Sequence, residues 1–394
     1  MIDKLGQSRG TDYFKIAEQL TPTERDYLNR TRRFVDNEVL PVINGYWERA
    51  EFPRPLIAKL AEVGIIGDGI SGYGCPELSP MANGLITMEL NRGDGSLATF
   101  VGVQAGLAMQ SIAKLGSEEQ KQRWLPSMAR LQTLGAFALT EPNHGSDAVA
   151  LETSAHRDGD TWLLNGEKKW IGNGTIADVV VVWARDVADG KVKGFLVEKG
   201  ADGYDAERID GKGSLRSVWQ ARITLTDVEV HETSRLPHAN SFKDAGRVLA
   251  GTRAGVAWAA LGHATAAYEI AMDYCTERRQ FGKPLVSFQI VQERLVKMLA
   301  EVCSMQLYCL RLARLQEEGG LTDTIAAIAK MNNTSKARQV IAEARDLLGG
   351  NGILLDFHVM RHLADMEALH TYEGTETIQT LIVGRDITGV GAFA

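Results

Sequence analysis

Apolar residues in the first third of the chain recur with the period of a helix, and polar residues mark where each helix begins. A Thr-Pro-Thr-Glu run starting at Thr21 provides an N-cap with proline in the first turn, and it predicts a helix over residues 22–39. Residues 55–63 and 80–91 are further predicted helices. Ser117, with a glutamine three residues later, has the pattern of a capping box and predicts another helix start. The first third is therefore predicted to be helical.

The middle of the chain changes to short apolar runs separated by turn residues, which is typical of β-strands. Residues 161–171 predict a hairpin, because Asn165-Gly166 supplies the positive φ angles of a two-residue turn. Residues 178–183 are an apolar run of strand length, and residues 194–198 are its predicted partner. Residues 221–228 alternate approximately between polar and apolar side chains. Together these stretches predict a β unit with the size of a small sandwich or barrel.

Beyond residue 240 the helical period returns. Apolar residues between Val291 and Leu312 are spaced alternately by four and three positions, which is the stripe that a bundle helix buries against its neighbours. The sequence thus predicts a mostly α protein with a β middle domain. The predicted divisions are an N-terminal helical domain over residues 1–135, a β middle domain over residues 136–240 and a C-terminal helical bundle over residues 241–394.

Composition and charge narrow the classes of function. Hydrophobic residues make up 44% and charged residues 24% of the chain, as in ordinary soluble globular proteins. The 43 basic and 50 acidic residues give a net charge of −7, which argues against nucleic acid as a main partner. The four cysteines form no CxxC pair, so neither a metal site nor a disulfide framework is expected. We expect a cytoplasmic protein, because the N-terminus lacks the apolar core of a signal peptide and no apolar run approaches the ~20 residues of a membrane span.

Two glycine-rich stretches resemble nucleotide-binding patterns only superficially. Residues 67–72 fit GxGxxG, but a predicted helix precedes them where the dinucleotide fingerprint requires a strand, so a turn-rich loop is the better interpretation. Residues 347–352 lack the Gly-Lys-Ser/Thr of a P-loop. We predict a helix end there, with Gly349 or Gly350 in the left-handed conformation. Glycines also let a ligand approach the backbone closely.

Three further stretches carry residue types that suit ligands. Residues 137–147 leave an apolar run and enter a polar loop, which either presents amides and hydroxyls to a ligand or is a solvated surface loop. Trp170, shortly before a Gly-Asn-Gly run, is either a core residue or a flat wall for a planar cofactor. Glu373 lies between Tyr372 and Gly374. A lone glutamate is usually a solvated surface charge, but burial beside an aromatic ring would raise its pKa and suit it to general-base catalysis.

The segments ALTEPNHGSD, KKWIGN, RRQFGKPL, LLGGNGI and YEGTETIQ occur in the order that the acyl-CoA dehydrogenase superfamily has, and the resemblance extends over essentially the whole chain. Within the superfamily, YWERAEFP, GYGCP and ARDLLGGNGI resemble the glutaryl-CoA dehydrogenase branch and the plant short-chain acyl-CoA oxidases. The resemblance implies an N-terminal helical domain, a β-sandwich-like middle domain and a C-terminal four-helix bundle, usually in a homotetramer. It also implies FAD as cofactor, an acyl-CoA thioester as substrate and electron-transfer flavoprotein as electron acceptor.

The resemblance also assigns roles to individual positions. Glu373 matches the base of the family's Tyr-Glu-Gly-Thr motif, with Gly374 beside it at the substrate. Thr252 and Arg253 match positions close to the acyl-CoA and the base, and Ser146 matches a residue that binds flavin phosphate or thioester. The remaining matches are cofactor-binding positions: Phe137, Leu139, Thr140, Trp170 and Gly172 near the flavin ring, Thr375 and Glu376 beyond the base, Gly349 and Gly350 beside the adenosine half, and Arg278, Gln280 and Phe281 toward a neighbouring subunit's cofactor.

The chemistry implied by the resemblance is removal of the α-proton of the thioester by Glu373 and transfer of the β-hydride to flavin N5, which gives the trans-2-enoyl-CoA. Because such an α-proton is weakly acidic, hydrogen bonds to the thioester oxygen from the Glu373 amide and a flavin ribityl hydroxyl would stabilise the developing enolate. In some relatives the base lies on another helix, but residues 245–262 contain no Asp or Glu. Glu373 is therefore the one candidate base.

Two departures from the family pattern bear on the substrate and the electron acceptor. The arginine that pairs with the distal carboxylate in glutaryl-CoA dehydrogenase corresponds to Ala98, and Arg92 lies upstream, where only a different fold of the chain would let it substitute. Burying a second carboxylate without that cation is costly, so we expect a neutral acyl chain of short to medium length. Gly172 replaces the threonine of most dehydrogenases, as in the plant oxidases. It predicts open space where dioxygen would reach the flavin, unless a water molecule fills the gap.

Three alternatives follow from these departures. The first is an acyl-CoA oxidase that passes its electrons to dioxygen, and the second is a glutaryl-CoA dehydrogenase. The third is a non-catalytic protein that binds flavin and acyl-CoA. Acyl chain length, branching and the electron acceptor are left open by the sequence.

Overall fold

The computed structural model describes residues 10–393, and the N-terminal part is helical as predicted. The capping box at Thr21 forms: the Thr21 hydroxyl accepts from the Glu24 amide (3.2 Å), and the Glu24 carboxylate accepts from the Thr21 amide (2.8 Å). Ser117 and Gln120 form the same two bonds. The helices of this part are α1 (Pro22–Phe34, continued by the π-helical turn Val35–Val39), α2 (Ile43–Arg49), α3 (Pro55–Val63), α4 (Pro80–Gly93), α5 (Gly95–Val101), α6 (Gln110–Leu115) and α7 (Glu118–Ala129).

The helical run Gly95–Leu115 consists of α5, a π-helical stretch (Gly102–Met109) and α6. Contrary to the expectation from the sequence, this run is long and apolar enough to cross a membrane by length and composition. Most of it is buried inside the protein, as in the core helix of a folded domain. The run begins at Asp94, whose carboxylate accepts from the Leu97 amide (2.7 Å) and caps α5.

The middle of the chain forms one curled sheet of seven strands. The strands are β1 (Gly135–Ala138), β2 (Ser154–Asp158), β3 (Thr161–Gly172), β4 (Val179–Asp186), β5 (Val192–Glu198), β6 (Tyr204–Arg208) and β7 (Gln220–His231). Their order in the sheet is β1-β4-β2-β3-β7-β6, and β5 is paired to β4. The predicted pairing of residues 178–183 with 194–198 is confirmed, since Val179 lies opposite Glu198 and Trp183 lies opposite Gly194 in antiparallel register.

The predicted hairpin at Asn165-Gly166 is wrong, because β3 runs through this dipeptide without turning. The register of β3 on β7 shifts there, so the two residues form a bulge. Asn165 is held by Asp227, with which it exchanges two hydrogen bonds of 2.9 Å. Glycine is required next to it, since a Cβ atom on Gly166 would lie 2.6 Å from Oγ1 of Thr153. The Asn-Gly dipeptide, which is typical of hairpin turns, here allows Thr153 to pack closely against the backbone of β3.

Strand β4 is apolar from Val179 to Ala184 because both of its faces are buried. Alternate residues of a strand point to opposite faces. Val179, Val181 and Trp183 join the core shared with the helices, whereas Val180 and Val182 join a second core inside the curled sheet. The sequence therefore shows a continuous apolar run here and no alternation.

The C-terminal part returns to helices. The elements are α8 (Phe242–Glu277), the short strands β8 (Arg279–Gln280) and β9 (Lys283–Pro284), α9 (Gln289–Glu317), α10 (Asp323–Leu347), α11 (Val359–Thr371) and α12 (Glu376–Thr388). Of the predicted stripe on α9, Val291 is half-buried and the members from Leu295 to Leu312 are buried. The predicted helix end is confirmed, since α10 ends at Leu347 and Gly349 has φ 58°.

A buried ion pair ties the C-terminal helices to the N-terminal part. Arg361 of α11 donates from Nη1 to Oδ2 of Asp94 (2.9 Å), and both side chains are fully buried. One turn further along α11, Asp365 Oδ1 accepts from the Trp47 indole (2.9 Å) and from the amide of Leu215 in the loop before β7 (2.6 Å). The three parts of the chain therefore meet at α11, which leads directly into the loop before α12.

Candidate active site

The loop between α11 and α12 presents Glu373 on an unusual backbone. The loop begins after Thr371, and Thr375 closes it by capping α12, with its hydroxyl accepting from the Ile378 amide (3.3 Å). Glu373 has φ 55° and Gly374 has φ 87°. The left-handed region is unfavourable for a glutamate, and such strained residues concentrate at functional sites. This backbone directs the Glu373 side chain toward α8.

The Glu373 carboxyl lies among one hydroxyl and two cations. The Thr252 hydroxyl of α8 donates to its Oε2. Burial raises the pKa of Glu373, while the Thr252 hydrogen bond and the positive charges of Lys330 and Arg253 act in the opposite direction. Arg253 is itself paired with Asp323, at 3.1 Å between Nη1 and Oδ1. A carboxyl with a raised pKa that also accepts a hydrogen bond suits a general base.

Lys330 is the residue of this site that the sequence analysis missed. It projects from the buried face of α10, its side chain is 1% exposed, and its Nζ donates to the carbonyl oxygens of Tyr372 and Gly374. Burial lowers the pKa of Lys330 to about 8. The signal available in the sequence was a lysine among the buried alanines of α10, where a charge is rarely found without a partner.

Open space lies next to Thr252. A Cβ atom would have no neighbour within 4 Å on three glycines: Gly102 of the π-helical stretch, and Gly251 and Gly255 of α8. Gly106 is closer to its surroundings, since its Cβ position lies 4.0 Å from Thr252 Cγ2 and 3.6 Å from Asp68 Oδ2. Small residues on two facing helices therefore leave room for a ligand beside the Thr252 hydroxyl.

A second group of the predicted residues lies where β1 and β3 end side by side. The Lys169 amide donates to the Thr140 carbonyl (2.8 Å), and Thr140 is half-buried. Phe137 and Leu139 are buried, and the Phe137 ring packs against Trp183 with 5.9 Å between centroids. Trp170 has φ 65° and is 53% exposed, so its indole offers a flat face at this edge.

A second buried lysine, which no pattern in the sequence marks as a site residue, supports the strand ends. Lys168 is fully buried, and its Nζ donates to the Leu139 carbonyl (3.1 Å) and to Oε1 of Glu141 (2.8 Å). Burial lowers the pKa of Lys168 to about 8, and the Glu141 carboxylate acts against that shift. Through these hydrogen bonds, Lys168 and Glu141 hold the backbone of residues 139–141 in place after the end of β1.

Gly172 does not open the space that the sequence predicts. A Cβ atom on Gly172 would lie 2.7 Å from Cγ2 of Val103, so the Val103 side chain fills that position. Val103 belongs to the π-helical stretch, one residue from Gly102. The expectation of a gap open to dioxygen at Gly172 is therefore wrong, and no water molecule is needed to fill it.

Six of the predicted residues lie at the surface, and no contact among residues 10–393 joins them to Glu373. Ser146 is exposed in the loop after β1. Phe281, at the tip of the β8–β9 hairpin, is 93% exposed. The turn at Gly349 is tied to the end of α8 by a hydrogen bond from Asn351 to the Tyr274 hydroxyl (3.0 Å). The six residues are Ser146, Arg278, Gln280, Phe281, Gly349 and Gly350.

Glu376, the last of the predicted cofactor residues, is half-buried in the first turn of α12. Its Oε2 lies 3.0 Å from Nε2 of His370.

Among the described residues, Glu141, His144 and Glu152 form one cluster of side chains of the types that bind metals. The Glu141 oxygens already accept from Lys168 and from the amides of Glu152 (2.6 Å) and Thr153 (2.9 Å). We assign no metal to this cluster.

Arg92 is engaged elsewhere in the fold. It donates from Nε to Oε2 of Glu89 (2.7 Å), contacts Asp36 and lies 3.8 Å from Glu269. These three carboxylates belong to α4, to the turn after α1 and to α8. Arg92 therefore does not substitute for the missing cation at Ala98, which is half-buried on α5.

Family models for the three domains of the acyl-CoA dehydrogenases match the chain in succession. The N-terminal model matches residues 21–132, the middle model residues 136–228 and the C-terminal model residues 242–388. The chain belongs to the acyl-CoA dehydrogenase family. Enzymes of this family are FAD-dependent oxidoreductases, so the predictions of superfamily, fold, enzyme class and cofactor are confirmed.

Individual relatives of this acyl-CoA dehydrogenase cover nearly the whole chain. Glutaryl-CoA dehydrogenase from Mycobacterium smegmatis is 40% identical with a TM-score of 0.95, over 98% of this chain and 100% of that one. A structure of a glutaryl-CoA dehydrogenase from that organism in complex with FADH2 gives 37% identity and a TM-score of 0.94, over 97% and 98%. The mitochondrial short-chain specific acyl-CoA dehydrogenase of Bos taurus is 32% identical over 371 residues, which are 92% of this chain and 89% of that protein.

A chain in a structure of the electron transferring flavoprotein of Acidaminococcus fermentans is also similar, with 31% identity and a TM-score of 0.89, over 94% of this chain and 98% of that chain. These relatives are named for different substrates and roles, so similarity alone does not fix the substrate.

The residues of this chain fit FAD. At the edge formed by β1 and β3, the exposed indole of Trp170 and the half-buried Thr140 offer a planar face and hydrogen-bonding groups. At the end of α8, exposed Arg278 offers a cation for phosphate, and open space surrounds Gly349. The strand edge therefore suits the flavin ring of one FAD, and Arg278 suits the phosphates of a neighbouring subunit's FAD, as the resemblance implies.

Proposed function

We propose that this protein catalyses the α,β-dehydrogenation of a short- to medium-chain acyl-CoA to the trans-2-enoyl-CoA, with Glu373 as the base that removes the α-proton. The observation that carries the proposal is the setting of Glu373. Its carboxyl accepts from Thr252, and open space lies beside the glycines of α8 and the π-helical stretch. This open space, lined by Gly102, Gly106, Gly251 and Gly255, is the cleft of the site, and a carboxylate held on a strained backbone beside it is placed for proton abstraction.

The surroundings of Glu373 serve the proton transfer in two ways. Burial removes water and raises the pKa of the carboxyl, which makes the carboxylate a stronger base, while Thr252 and the cations Lys330 and Arg253 act against that rise and favour the ionised form. The backbone N–H of Glu373 is the donor that we assign to the thioester oxygen, where it would stabilise enolate charge. Bound FAD supplies the redox half of the reaction by accepting the β-hydride at N5.

Charge around the cleft favours a neutral acyl chain over glutaryl-CoA. Ala98 provides no cation, and Arg92 is held by three acids on other elements. Asp68 places a carboxyl 3.6 Å from the Cβ position of Gly106, on the side of the cleft that faces Thr252. A distal carboxylate would meet Asp68 as a like charge, and neither Ala98 nor Arg92 would pair with it, which disfavours a dicarboxylic acyl group.

We propose electron-transfer flavoprotein as the electron acceptor. The alternative, an oxidase, depended on open space at Gly172, and Val103 occupies that space. Dioxygen therefore gains no route from the loss of the threonine side chain. Air oxidation of the substrate-reduced enzyme, followed as peroxide, distinguishes the two: negligible peroxide with rapid reduction of a dye supports the dehydrogenase, and stoichiometric peroxide supports the oxidase.

We also propose that the chain assembles as a homotetramer. Phe281 is 93% exposed at a hairpin tip, and α9 exposes Ile290 (69%) and Val296 (65%). Large apolar side chains with this exposure are typical of surfaces that another subunit covers. Light scattering on the FAD-loaded protein should give four times the 43.0 kDa of the chain. A monomer in solution would contradict the assembly without affecting the chemistry assigned to Glu373.

Anaerobic titration with butyryl-CoA tests the proposed reaction. The flavin absorbance of the purified protein should bleach, and the product should be crotonyl-CoA. The Glu373→Gln variant should bind FAD and butyryl-CoA but should not bleach, because the amide cannot accept the proton. A wild-type protein that binds FAD but never bleaches with any acyl-CoA of a panel that includes glutaryl-CoA would favour a binding role. A panel response led by glutaryl-CoA would contradict the neutral-chain assignment.

A further inference from the structure

Lys330 is a fully buried cation whose hydrogen bonds go to the backbone on either side of Glu373. Its Nζ donates to the carbonyl oxygens of Tyr372 and Gly374, and its side chain is 1% exposed. Placing an ammonium group in the interior is costly unless its charge is compensated. Two neutral carbonyls accept hydrogen bonds from this three-donor group but do not balance its charge. The group that compensates the charge of Lys330 is therefore the nearby carboxyl of Glu373.

The backbone that Lys330 holds is the strained part of the loop. Glu373 and Gly374 both have positive φ angles, at 55° and 87°. Gln379 of α12 is buried, and its Nε2 donates to the carbonyls of Glu373 (3.1 Å) and Gly374 (2.9 Å). Every carbonyl from Tyr372 to Gly374 thus accepts a hydrogen bond from a buried side chain. Such strain persists only where the surroundings over-determine it.

The charged groups around Lys330 come from three elements. Glu373 lies on the loop, and its charge opposes the lowering of the Lys330 pKa that burial causes. Arg253 of α8 acts on Lys330 as a like charge, and Asp323 of α10 is paired with Arg253. Arg253 has its own carboxylate, whereas Glu373 is the acid whose charge acts on Lys330.

We propose that Lys330 is a positioning residue for the base: its ammonium group holds the carbonyls of Tyr372 and Gly374, and it supplies the positive charge against which the Glu373 carboxylate stays ionised. The inference rests on the proposed role of Glu373 as base. A neutral donor at position 330 would satisfy the carbonyls and leave the carboxylate without its counter-charge. A cation elsewhere would not fix the left-handed backbone at Glu373.

The test compares Lys330→Met with Lys336→Met, which removes a lysine from the same helix. Lys336 is paired at the surface with Glu301 (2.8 Å) and is outside the site. The rate of flavin reduction by butyryl-CoA is measured under anaerobic conditions over a range of pH. In Lys330→Met the profile should move to higher pH by about one unit or more, the size expected when a carboxylate loses a nearby opposite charge. Lys336→Met should keep the wild-type profile.

Hydrogen–deuterium exchange provides a readout that does not depend on turnover. The peptide that contains residues 371–379 should exchange faster in Lys330→Met than in wild type or Lys336→Met, whether or not substrate is present. An unchanged pH profile together with unchanged exchange would overturn the proposal. Faster exchange with an unchanged pH profile would also overturn it, because Lys330 would then be merely structural.

The conservative variant keeps the proposal testable if Lys330→Met does not fold. Lys330→Arg retains the charge, so its pH profile should stay within about half a unit of wild type even where the limiting rate falls. A shift of more than about one unit in the arginine variant would contradict the role of the charge. Failure of the proposed function is separate: it would appear in the wild-type protein as flavin that butyryl-CoA does not reduce.

Discussion

Val103 occupies the position that a side chain on Gly172 would take, since a Cβ atom built there would lie 2.7 Å from Cγ2 of Val103. The two residues belong to different parts of the chain, the π-helical stretch and the end of β3. Their contact closes the boundary between the helices and the sheet next to the candidate flavin edge. The Val103 side chain therefore fills the space that a side chain at position 172 would occupy, and no gap is left there.

Enlarging Gly172 should destabilise the protein unless Val103 is reduced. We expect Gly172→Ala to lower the free energy of unfolding by about 1–3 kcal/mol, the usual effect of overpacking. Combining it with Val103→Ala should recover part of that loss, because the two substitutions share one space. Urea unfolding of both single variants and the double variant measures the coupling. Strictly additive effects would show that the two side chains do not compete.

The Thr252 hydroxyl sets the pH range in which Glu373 works. The base acts as a carboxylate, so the rate of flavin reduction rises with pH through the pKa of Glu373. The hydrogen bond from Thr252 lowers that pKa, and its removal in Thr252→Val should move the profile to higher pH. Stopped-flow reduction by butyryl-CoA at a series of pH values measures the shift.

Thr252→Ser is the matched control for that experiment, because it keeps the hydroxyl and loses only a methyl group. Its profile should coincide with wild type. If the valine variant also keeps the wild-type profile, the hydroxyl does not act on the carboxylate. The Thr252 hydroxyl then serves α8 alone, through its hydrogen bond to the Leu249 carbonyl (2.8 Å).

The residue at position 98 should determine whether the enzyme prefers a neutral or a negatively charged acyl chain. Ala98→Arg places a cation on α5, the helix that leads into the π-helical stretch beside the cleft. The ratio of kcat/KM for glutaryl-CoA to that for butyryl-CoA should rise about tenfold or more, which corresponds to about 1.4 kcal/mol. Ala98→Gln has similar bulk without charge and should leave the ratio unchanged. An equal rise in both variants would assign the effect to size.

Local signals predicted the local structure well. Thr21 and Ser117 were identified as caps because a cap is made by residues three apart in sequence, and both capping boxes form. Asn165-Gly166 was misassigned because its conformation is decided by Thr153 and by Asp227, which is 62 residues away. Tertiary contacts override turn propensity at such positions.

Only those residues of the candidate site that lie within a sequence motif can be predicted from the sequence. Glu373 was found through the order of five motifs, and its left-handed backbone leaves no trace in the sequence. Lys330 was missed because its partners, the carbonyls of Tyr372 and Gly374, lie 42 and 44 residues further along the chain. Its alanine-rich surroundings predict burial, but only the fold gives a buried lysine its role.

The carboxyl of Asp365 should contribute a stability that falls as the pH rises, which is the opposite of the usual effect of a carboxyl group. Burial, with a further contribution from the negative charge of Asp94, raises the pKa of Asp365 to about 7. The folded state therefore binds a proton that the unfolded chain, with a pKa of about 3.9, releases over this range. Stability from this group is present below about pH 4 and is lost as the pH rises toward 7, by at most about 1.4 kcal/mol per unit.

Asp365→Asn removes this contribution, because the amide keeps an acceptor for Trp47 and Leu215 but does not titrate. The difference in unfolding free energy between wild type and Asp365→Asn should therefore fall as the pH rises from about 4 to 7. Burial also lowers the pKa of His263 to about 3, which gives stability the opposite slope, but that effect is common to both proteins and cancels. Asp26→Asn, on the exposed face of α1, serves as the control with no such trend. Parallel curves for wild type and Asp365→Asn would show that Asp365 is ionised in the folded protein throughout this range.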